Sequence, residues 1–82
     1  MDKAIQETAA ARHEAVRKRL GDRVRLLRFQ RRWTQEVLAE VTGLHRNYIG
    51  HIERAEVNMG LKNVYQLAEA FTMTVSEFLE GV

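Results

Sequence analysis

The stretch that decides the fold spans residues 35–54 and reads QEVLAEVTGLHRNYIGHIER. Its apolar residues recur at helical spacing on both sides of Gly43, which predicts two short helices joined by a tight turn. They are Leu38, Val41, Leu44, Ile49 and Ile52. Glycine adopts the positive φ of such a turn without a Cβ clash. The small Ala39, four residues before Gly43, would let the two helices cross closely.

The second of these helices is expected to present a polar face to solvent. Its members are His45, Arg46, Asn47, Gly50 and His51. Most of them carry hydrogen-bonding groups on a rod that fits a DNA major groove, which is about 12 Å wide. Histidine is a poor N-cap by residue type, and a glycine costs a helix about 1 kcal/mol relative to alanine. Two locally unfavourable residues on one exposed face indicate a requirement of function rather than of folding.

A longer helix is predicted before this stretch, over residues 20–32, and several of its arginines could face phosphates. Its core-facing stripe has helical spacing and consists of Leu20, Val24 and Leu27, widened by Leu26 and Phe29. Residues 2–19 are rich in helix-forming types but poor in apolar ones, so they either continue this helix or form a frayed arm. The chain is therefore divided into an N-terminal extension over residues 1–15, helical or partly disordered, and a domain over residues 16–82.

Local signals mark the starts of the other helices. Thr34 is a suitable N-cap, and the run from Thr74 to Glu77 is a capping box. Hydrophobic staples, in which a residue before the N-cap packs on one in the first turns, are predicted at three starts. The pairs are Trp33 with Leu38, Leu44 with Ile49, and Met73 with Phe78. A fourth helix is expected over residues 61–71 and a short fifth over residues 75–80.

The composition bounds the class of protein. The chain of 82 residues suggests one domain and contains no Cys. No apolar run approaches the ~18 residues that span a bilayer, so we expect no membrane partner. The absence of Cys fits a reducing, cytoplasmic location. Residues 1–32 carry ten Lys or Arg against four acids, whereas residues 33–82 carry three against seven. This asymmetry indicates a polyanion partner on one face, unless the basic side chains merely solvate a helix.

No catalytic residue, cofactor or metal ligand is predicted. The chain lacks Cys and a Gly-rich phosphate loop, and no Ser/His/acid arrangement can be justified from its spacing. His13, His45 and His51 do not form a metal set, because no carboxylate or Cys at suitable spacing completes one. An enzyme is therefore the weakest of the function classes.

Three runs of the sequence together resemble one known family. They read LGDRVRLLR, WTQEVLAEVTGLHRNYIGHIER and LAEAFTMTVSEFL. They are similar to the Cro/repressor-type helix-turn-helix family, also called the xenobiotic-response-element family. The resemblance implies an all-α fold, a compact five-helix domain of the lambda-repressor-like type. The run HRNYIGHIERAEVN also resembles the controller regulators of restriction–modification systems, which belong to this family.

The resemblance implies that the third helix lies in the DNA major groove and assigns contacts by position. The implied DNA-binding residues are Gln35, His45, Arg46, Asn47, Tyr48, Gly50, His51 and Asn58. Arg46 could bind guanine bidentately, whereas Asn47 suits either adenine or helix capping. Tyr48 could pack at the core edge or touch a phosphate. The resemblance also implies a structural pair of Arg28 with Glu53, tying the first helix to the third.

Some positions depart from the family pattern. His45 stands where a small hydroxyl residue is usual, and Gly50 where a polar residue is common. Arg32 and Ala55 replace frequent glycines and Met59 a common proline, which puts the loop geometry in question. Since Gly50 has no side chain to read a base, it is expected to allow close approach to DNA.

The resemblance implies a sequence-specific transcriptional regulator in the cytoplasm, associated with the nucleoid. It would bind a palindromic operator in double-stranded DNA as a homodimer and control RNA polymerase. The expected dimer surface is the apolar C-terminal end, with Val75, Phe78, Leu79 and Val82. One alternative is an antitoxin-type or other protein-interaction module on the same fold. Another is a non-specific architectural DNA-binding protein.

Overall fold

A computed structural model gives the backbone of residues 3–82 and the side chains from Thr8 onward. Over these residues the fold is all-helical, and the helices are α1 (Lys3–Gln30), α2 (Gln35–Thr42), α3 (Arg46–Glu53), α4 (Leu61–Ala70) and α5 (Val75–Phe78). The predicted all-α, five-helix fold is confirmed. Within the described part of the chain, no helix has the length and apolarity needed to cross a membrane.

Helix α1 is continuous from Lys3 to Gln30, so the first of the two alternatives for residues 2–19 holds throughout the described part. A helix of 28 residues is about 42 Å long, close to the longest dimension of the molecule, 44 Å. Side chains 8–14 of this helix are exposed. The division into an extension and a domain remains a prediction, and its first two residues lie outside the described ones.

All five helices contribute side chains to the core. Its buried apolar residues are Val24, Leu27, Leu38, Ile49, Ile52, Val64, Leu67, Ala68, Phe71 and Phe78. The expectation that Leu26 and Phe29 widen the stripe of α1 is wrong, because they are 48% and 59% exposed. Leu26 borders an open cavity beside residues 80–82, and the ring of Phe29 lies 4.7 Å from the guanidinium carbon of Arg28.

The predicted caps and staples fix the helix starts. The Thr34 hydroxyl accepts the Val37 amide at 3.1 Å, and Thr74 with Glu77 forms the complete capping box. The first members of the three staples, Trp33, Leu44 and Met73, are partly buried against the core. Gly43 ends α2 with a φ of 79°, the left-handed conformation that the turn requires.

Three residues other than glycine adopt the left-handed backbone conformation that glycine usually occupies in such loops. Arg32, Ala55 and Thr72 have φ values of 57°, 61° and 59°. Left-handed backbone costs a non-glycine residue about 1–2 kcal/mol. The departures at Arg32 and Ala55 therefore strain the chain locally without altering its path.

Arginines of α1 bind the C-terminal ends of the other helices. Arg23 donates to the carbonyl oxygens of Glu77 and Phe78 in α5 at 2.8 and 2.9 Å. Arg31 donates to the carbonyl of Phe71, which ends α4, at 2.7 Å. Cations favour helix C-termini, whose last carbonyls lack intrahelical partners. Much of the basic composition of α1 is thus used by the fold, and these side chains are not a free phosphate-binding surface.

Candidate nucleic-acid interface

The last residue of α3 anchors this helix to the rest of the protein. Glu53 is buried, and both of its carboxylate oxygens accept hydrogen bonds from Arg28 at 2.8 Å. Gln35 of α2 donates to the same carboxylate at 3.2 Å, and Arg25 donates to the Glu53 carbonyl at 2.8 Å. The hydrogen bond to Glu53 raises the pKa of Arg28 above its ordinary value. The implied pair of Arg28 and Glu53 is present, and it joins α1, α2 and α3 at one point.

Close backbone contact also fixes the position of α3. A Cβ added to Gly21 would lie 2.7 Å from the carbonyl oxygen of Ile52 and 2.8 Å from that of Glu53. Only glycine therefore allows α1 to cross the C-terminal end of α3 at this distance. With Ile49 and Ile52 in the core, the inner face of α3 is held along its length.

The opposite, outer face of α3 lines a shallow cavity beside the start of α2. The outer face consists of Arg46, Asn47, Gly50, His51 and Arg54, and Gln35 of α2 completes the cavity wall. Positions 46, 50 and 54 are separated by four residues each, so they stack along one side of the helix. Arg54 was not among the sequence-predicted site residues, although its spacing from Arg46 was visible in the sequence.

The expectation that Gly50 is exposed is wrong. Gly50 is buried, because the guanidinium of Arg54 lies over it. A Cβ added to Gly50 would be 3.0 Å from Nη1 of Arg54. Gly50 thus forms the floor of the cavity, and its lack of a side chain makes room for the arginine one turn later.

The interpretation of His45 as a poor cap is also wrong. Its ring Nδ1 accepts the backbone amide of Asn47 at 3.0 Å, and its backbone is extended as an N-cap requires. Histidine can accept a hydrogen bond in this way when neutral. His45 is exposed, but its ring is already used to start α3.

Arg46, the first residue of α3, is held by a carboxylate from α2. Its Nε donates to Oε1 of Glu36 at 2.5 Å, and both side chains are more than half exposed. The pKa of Glu36 is below its ordinary value, first because its carboxylate accepts its own backbone amide and second because it binds Arg46. This ion pair places the starts of α2 and α3 side by side.

Arg54 is held by a second carboxylate, from the loop after α3. Its Nε donates to Oε1 of Glu56, while Oε2 of Glu56 lies 3.0 Å from Nδ1 of His51. The Glu56 amide also donates to the His51 carbonyl at 2.9 Å, which fixes the loop against the helix. The hydrogen bonds from Arg54 and then His51 lower the pKa of Glu56. The sequence analysis missed Glu36 and Glu56, since their roles depend on contacts between elements.

The remaining predicted residues have different surroundings. Asn47 and His51 are exposed on the outer face, and Asn58 is exposed in the following loop. Tyr48 is half-buried against the core, and its hydroxyl accepts Nδ2 of Asn63 at 2.9 Å, so it links α3 to α4. Gln35 lines the cavity but donates its side-chain amide to Glu53.

The expected dimer surface is corrected at one residue. Phe78 has no exposed area and packs against Phe71 in the core with the two rings tilted, so it cannot contribute to contacts between protomers. Val75, Leu79 and Val82 are partly buried at the C-terminal end. Val82 also borders a cavity shared with the exposed Leu26 of α1.

Comparisons with known proteins place the chain among helix-turn-helix proteins. The helix-turn-helix family matches residues 24–78. The chain is 41% identical over 64 residues to control protein C.SmaI of Serratia marcescens, covering 78% of this chain and 76% of that protein. It is 33% identical over 66 residues to control protein C.BamHI of Bacillus amyloliquefaciens, covering 79% and 82%. The crystal structure of the restriction-modification controller protein C.AhdI from Aeromonas hydrophila matches with a TM-score of 0.75 and 38% identity, covering 78% of this chain and 97% of that one.

Proposed function

The chain belongs to the helix-turn-helix family, and we propose that it is a sequence-specific transcriptional regulator that binds a palindromic operator as a homodimer. It is a regulator rather than an enzyme, as its relatives are control proteins. The relatives also support a role in the control of a restriction–modification system.

One observation carries the proposal: the outer face of α3 presents hydrogen-bonding side chains along one side of a rigidly anchored helix. Arg46, Asn47, His51 and Arg54 lie within nine residues on this face. Arginine and asparagine are the side chains that pair bidentately with guanine and adenine in the major groove. The buried carboxylate of Glu53 and the close contact at Gly21 hold the helix in place, so its orientation need not be established on binding.

The phosphate contribution comes from groups around this face. The start of α2 lies beside Arg46, and backbone amides at a helix N-terminus favour a phosphate. Phosphate contacts supply affinity without sequence information, whereas contacts to base edges supply specificity. Affinity is therefore expected to fall linearly with salt on a double logarithmic scale.

The test is selection of bound duplexes from a random DNA pool, followed by measurement of affinity against salt. Arg46→Ala should cost ~1–3 kcal/mol at one base position of each half-site. Arg12→Ala, which removes an exposed arginine from the start of α1, is the matched control and should leave the selected sequence unchanged. If binding does not depend on salt, or if Arg46→Ala selects the same sequence with the same affinity as the control, sequence-specific DNA binding is refuted. A protein-interaction module of the antitoxin type would then be favoured. A footprint independent of sequence would favour an architectural protein.

We further propose that the two protomers meet through the apolar C-terminal end. Leu79 and Val82 support this surface together with Leu26 of α1, which borders the same cavity as Val82 and is 48% exposed. A dimer of this kind would place two α3 helices on half-sites about one DNA turn, ~10 bp, apart or a multiple of that.

The dimer proposal is tested by mass measurement in solution. Leu26→Glu adds a charge to an exposed position, so it should halve the mass without unfolding the protomer, and Leu79→Glu should do the same. Leu61→Glu is the matched control, because Leu61 is 76% exposed on α4. A wild-type monomer, or a mass that Leu26→Glu and Leu79→Glu leave unchanged, would refute this surface.

Control of transcription is the last part of the proposal. Binding beside a promoter would either block RNA polymerase or contact it. A reporter driven by the selected operator should change its output with wild-type protein and not with Arg46→Ala. Equal reporter output with and without the wild-type protein would count against a regulatory role.

A further inference from the structure

The two arginines of the outer face are bound to carboxylates in the same way. Arg46 binds Glu36 through Nε, and Arg54 binds Glu56 through Nε. One carboxylate comes from α2 and the other from the loop after α3, so the two pairs approach the outer face from opposite ends of the helix. All four side chains are more than two fifths exposed, so ligand can reach them.

The atom that each carboxylate binds decides what the arginine can still do. A guanidinium donates five N–H groups in a planar fork. When Nε is taken, Nη1 and Nη2 remain as the end-on pair, which matches the O6 and N7 acceptors of guanine. Nη1 of Arg54 lies over the bare backbone of Gly50, in the cavity that Arg46 also lines, and Nη2 of Arg54 lies 3.4 Å from Nδ1 of His51.

Fixing a long side chain before binding has a direct energetic advantage. A free arginine loses rotamer freedom when it is immobilised on a base, and part of that cost is removed if the side chain is already positioned. The exposed carboxylates also repel phosphates, so they would weaken non-specific association. Both effects increase discrimination between an operator and other DNA.

We propose that Arg54 is a second guanine-reading residue beside Arg46, and that Glu36 and Glu56 are positioning residues that hold the two arginines with their Nη edges toward the bases. This inference rests on the proposed function. It assigns a specificity role to Arg54, Glu36 and Glu56, which are not among the DNA-binding residues that the resemblance implies.

The experiment compares sequence selection with non-specific affinity for purified variants. Arg54→Ala should lower the preference for one guanine of each half-site by about tenfold. This guanine should differ from the one whose preference is lost in Arg46→Ala. Glu36→Ala and Glu56→Ala should each lower discrimination at the guanine of their own arginine by about fivefold while non-specific affinity stays equal or rises. Glu36→Gln keeps an oxygen acceptor for Nε and should restore part of the discrimination.

The control variant is Glu69→Ala, which removes the same charge from the exposed side of α4, away from the outer face. It should match wild-type discrimination. If Glu36→Ala and Glu56→Ala behave like Glu69→Ala, or if Arg54→Ala weakens binding equally on all sequences, the inference is refuted while the proposed function stands. If wild-type protein selects no sequence, the proposed function fails and the inference with it.

Discussion

The two faces of α3 each carry an arginine–glutamate pair, but their surroundings differ. On the inner face, Arg28 and Glu53 are 2.8 Å apart with side chains 10% and 2% exposed. On the outer face, Arg46 and Glu36 are 2.5 Å apart with side chains 55% and 61% exposed. The donor–acceptor distances of the two pairs are similar, so the difference in their exposure to water decides which pair supports the fold and which can meet a ligand. The inner pair cannot lose a partner without leaving a charge buried, whereas the exposed outer pair leaves the Nη edge of its arginine open to a ligand.

Each face also contacts a buried helical glycine. A Cβ on Gly21 would meet backbone oxygens of α3 at 2.7 and 2.8 Å, which cannot move without shifting a helix. A Cβ on Gly50 would meet only the end of the Arg54 side chain, at 3.0 Å. Glycine is therefore required by backbone packing on the inner face, whereas on the outer face it only leaves room for a flexible side chain.

The largest expected effect is that of breaking the inner pair. Glu53→Gln leaves the Arg28 charge buried without a carboxylate, which should lower the free energy of unfolding in urea by about 3–5 kcal/mol. Glu36→Gln removes the same charge from the outer face and should cost much less. Replacing both inner partners, Arg28→Met with Glu53→Leu, should cost less than Glu53→Gln alone. Equal losses for the inner and outer single variants would show that burial does not separate the two faces.

The next effect concerns the inner glycine. Gly21→Ala should lower stability by about 1–3 kcal/mol, because the added methyl forces α1 and α3 apart. Helix propensity alone would raise stability by up to about 1 kcal/mol, so the sign of the change in thermal midpoint is diagnostic. A higher midpoint would mean that the two backbones are not in the close contact described above.

A smaller effect of opposite sign is expected at the outer glycine. Gly50→Ala should stabilise the protein by up to about 1 kcal/mol, since the Arg54 side chain can shift aside and alanine is the better helix former. The thermal midpoints of Gly50→Ala and Gly21→Ala, each compared with that of wild type, provide a matched pair of measurements. A loss of stability at Gly50 similar to that at Gly21 would indicate that Arg54 is fixed more firmly than its exposure implies.

The smallest expected effect is the pH dependence of the outer pair. The pKa of Glu36 is lowered in the folded protein, so its contribution to stability is present above the ordinary carboxyl pKa and is lost as pH falls through the folded value. The difference in unfolding free energy between wild type and Glu36→Gln should therefore be present near neutral pH and vanish in acid. If the difference in unfolding free energy between wild type and Glu36→Gln does not change with pH, Glu36 stabilises the protein by some means other than its charge.

The sequence predicted the starts of α2 to α5 because the signals there are local, but it left the start of α1 open. Thr34 caps an amide three residues away, and Gly43 accommodates a turn that its neighbours require. The resemblance added the pairing of Arg28 with Glu53. The role of Gly50 was missed because it depends on the conformation of Arg54. Phe78 was misjudged because a short terminal helix does not reveal whether its apolar side chain faces the core or a partner.

The sequence by itself determined where α2 to α5 begin and which helix carries the exposed polar face, since caps, staples and turns act between residues a few positions apart. Tertiary structure alone decided what each arginine does. Arg23 and Arg46 have the same charge, yet Arg23 binds a carbonyl 55 residues away in α5 and Arg46 binds a carboxylate at the mouth of the α3 cavity. A long flexible cation takes whichever acceptor the fold brings within reach, and burial then fixes whether that contact is part of the fold or available to a ligand.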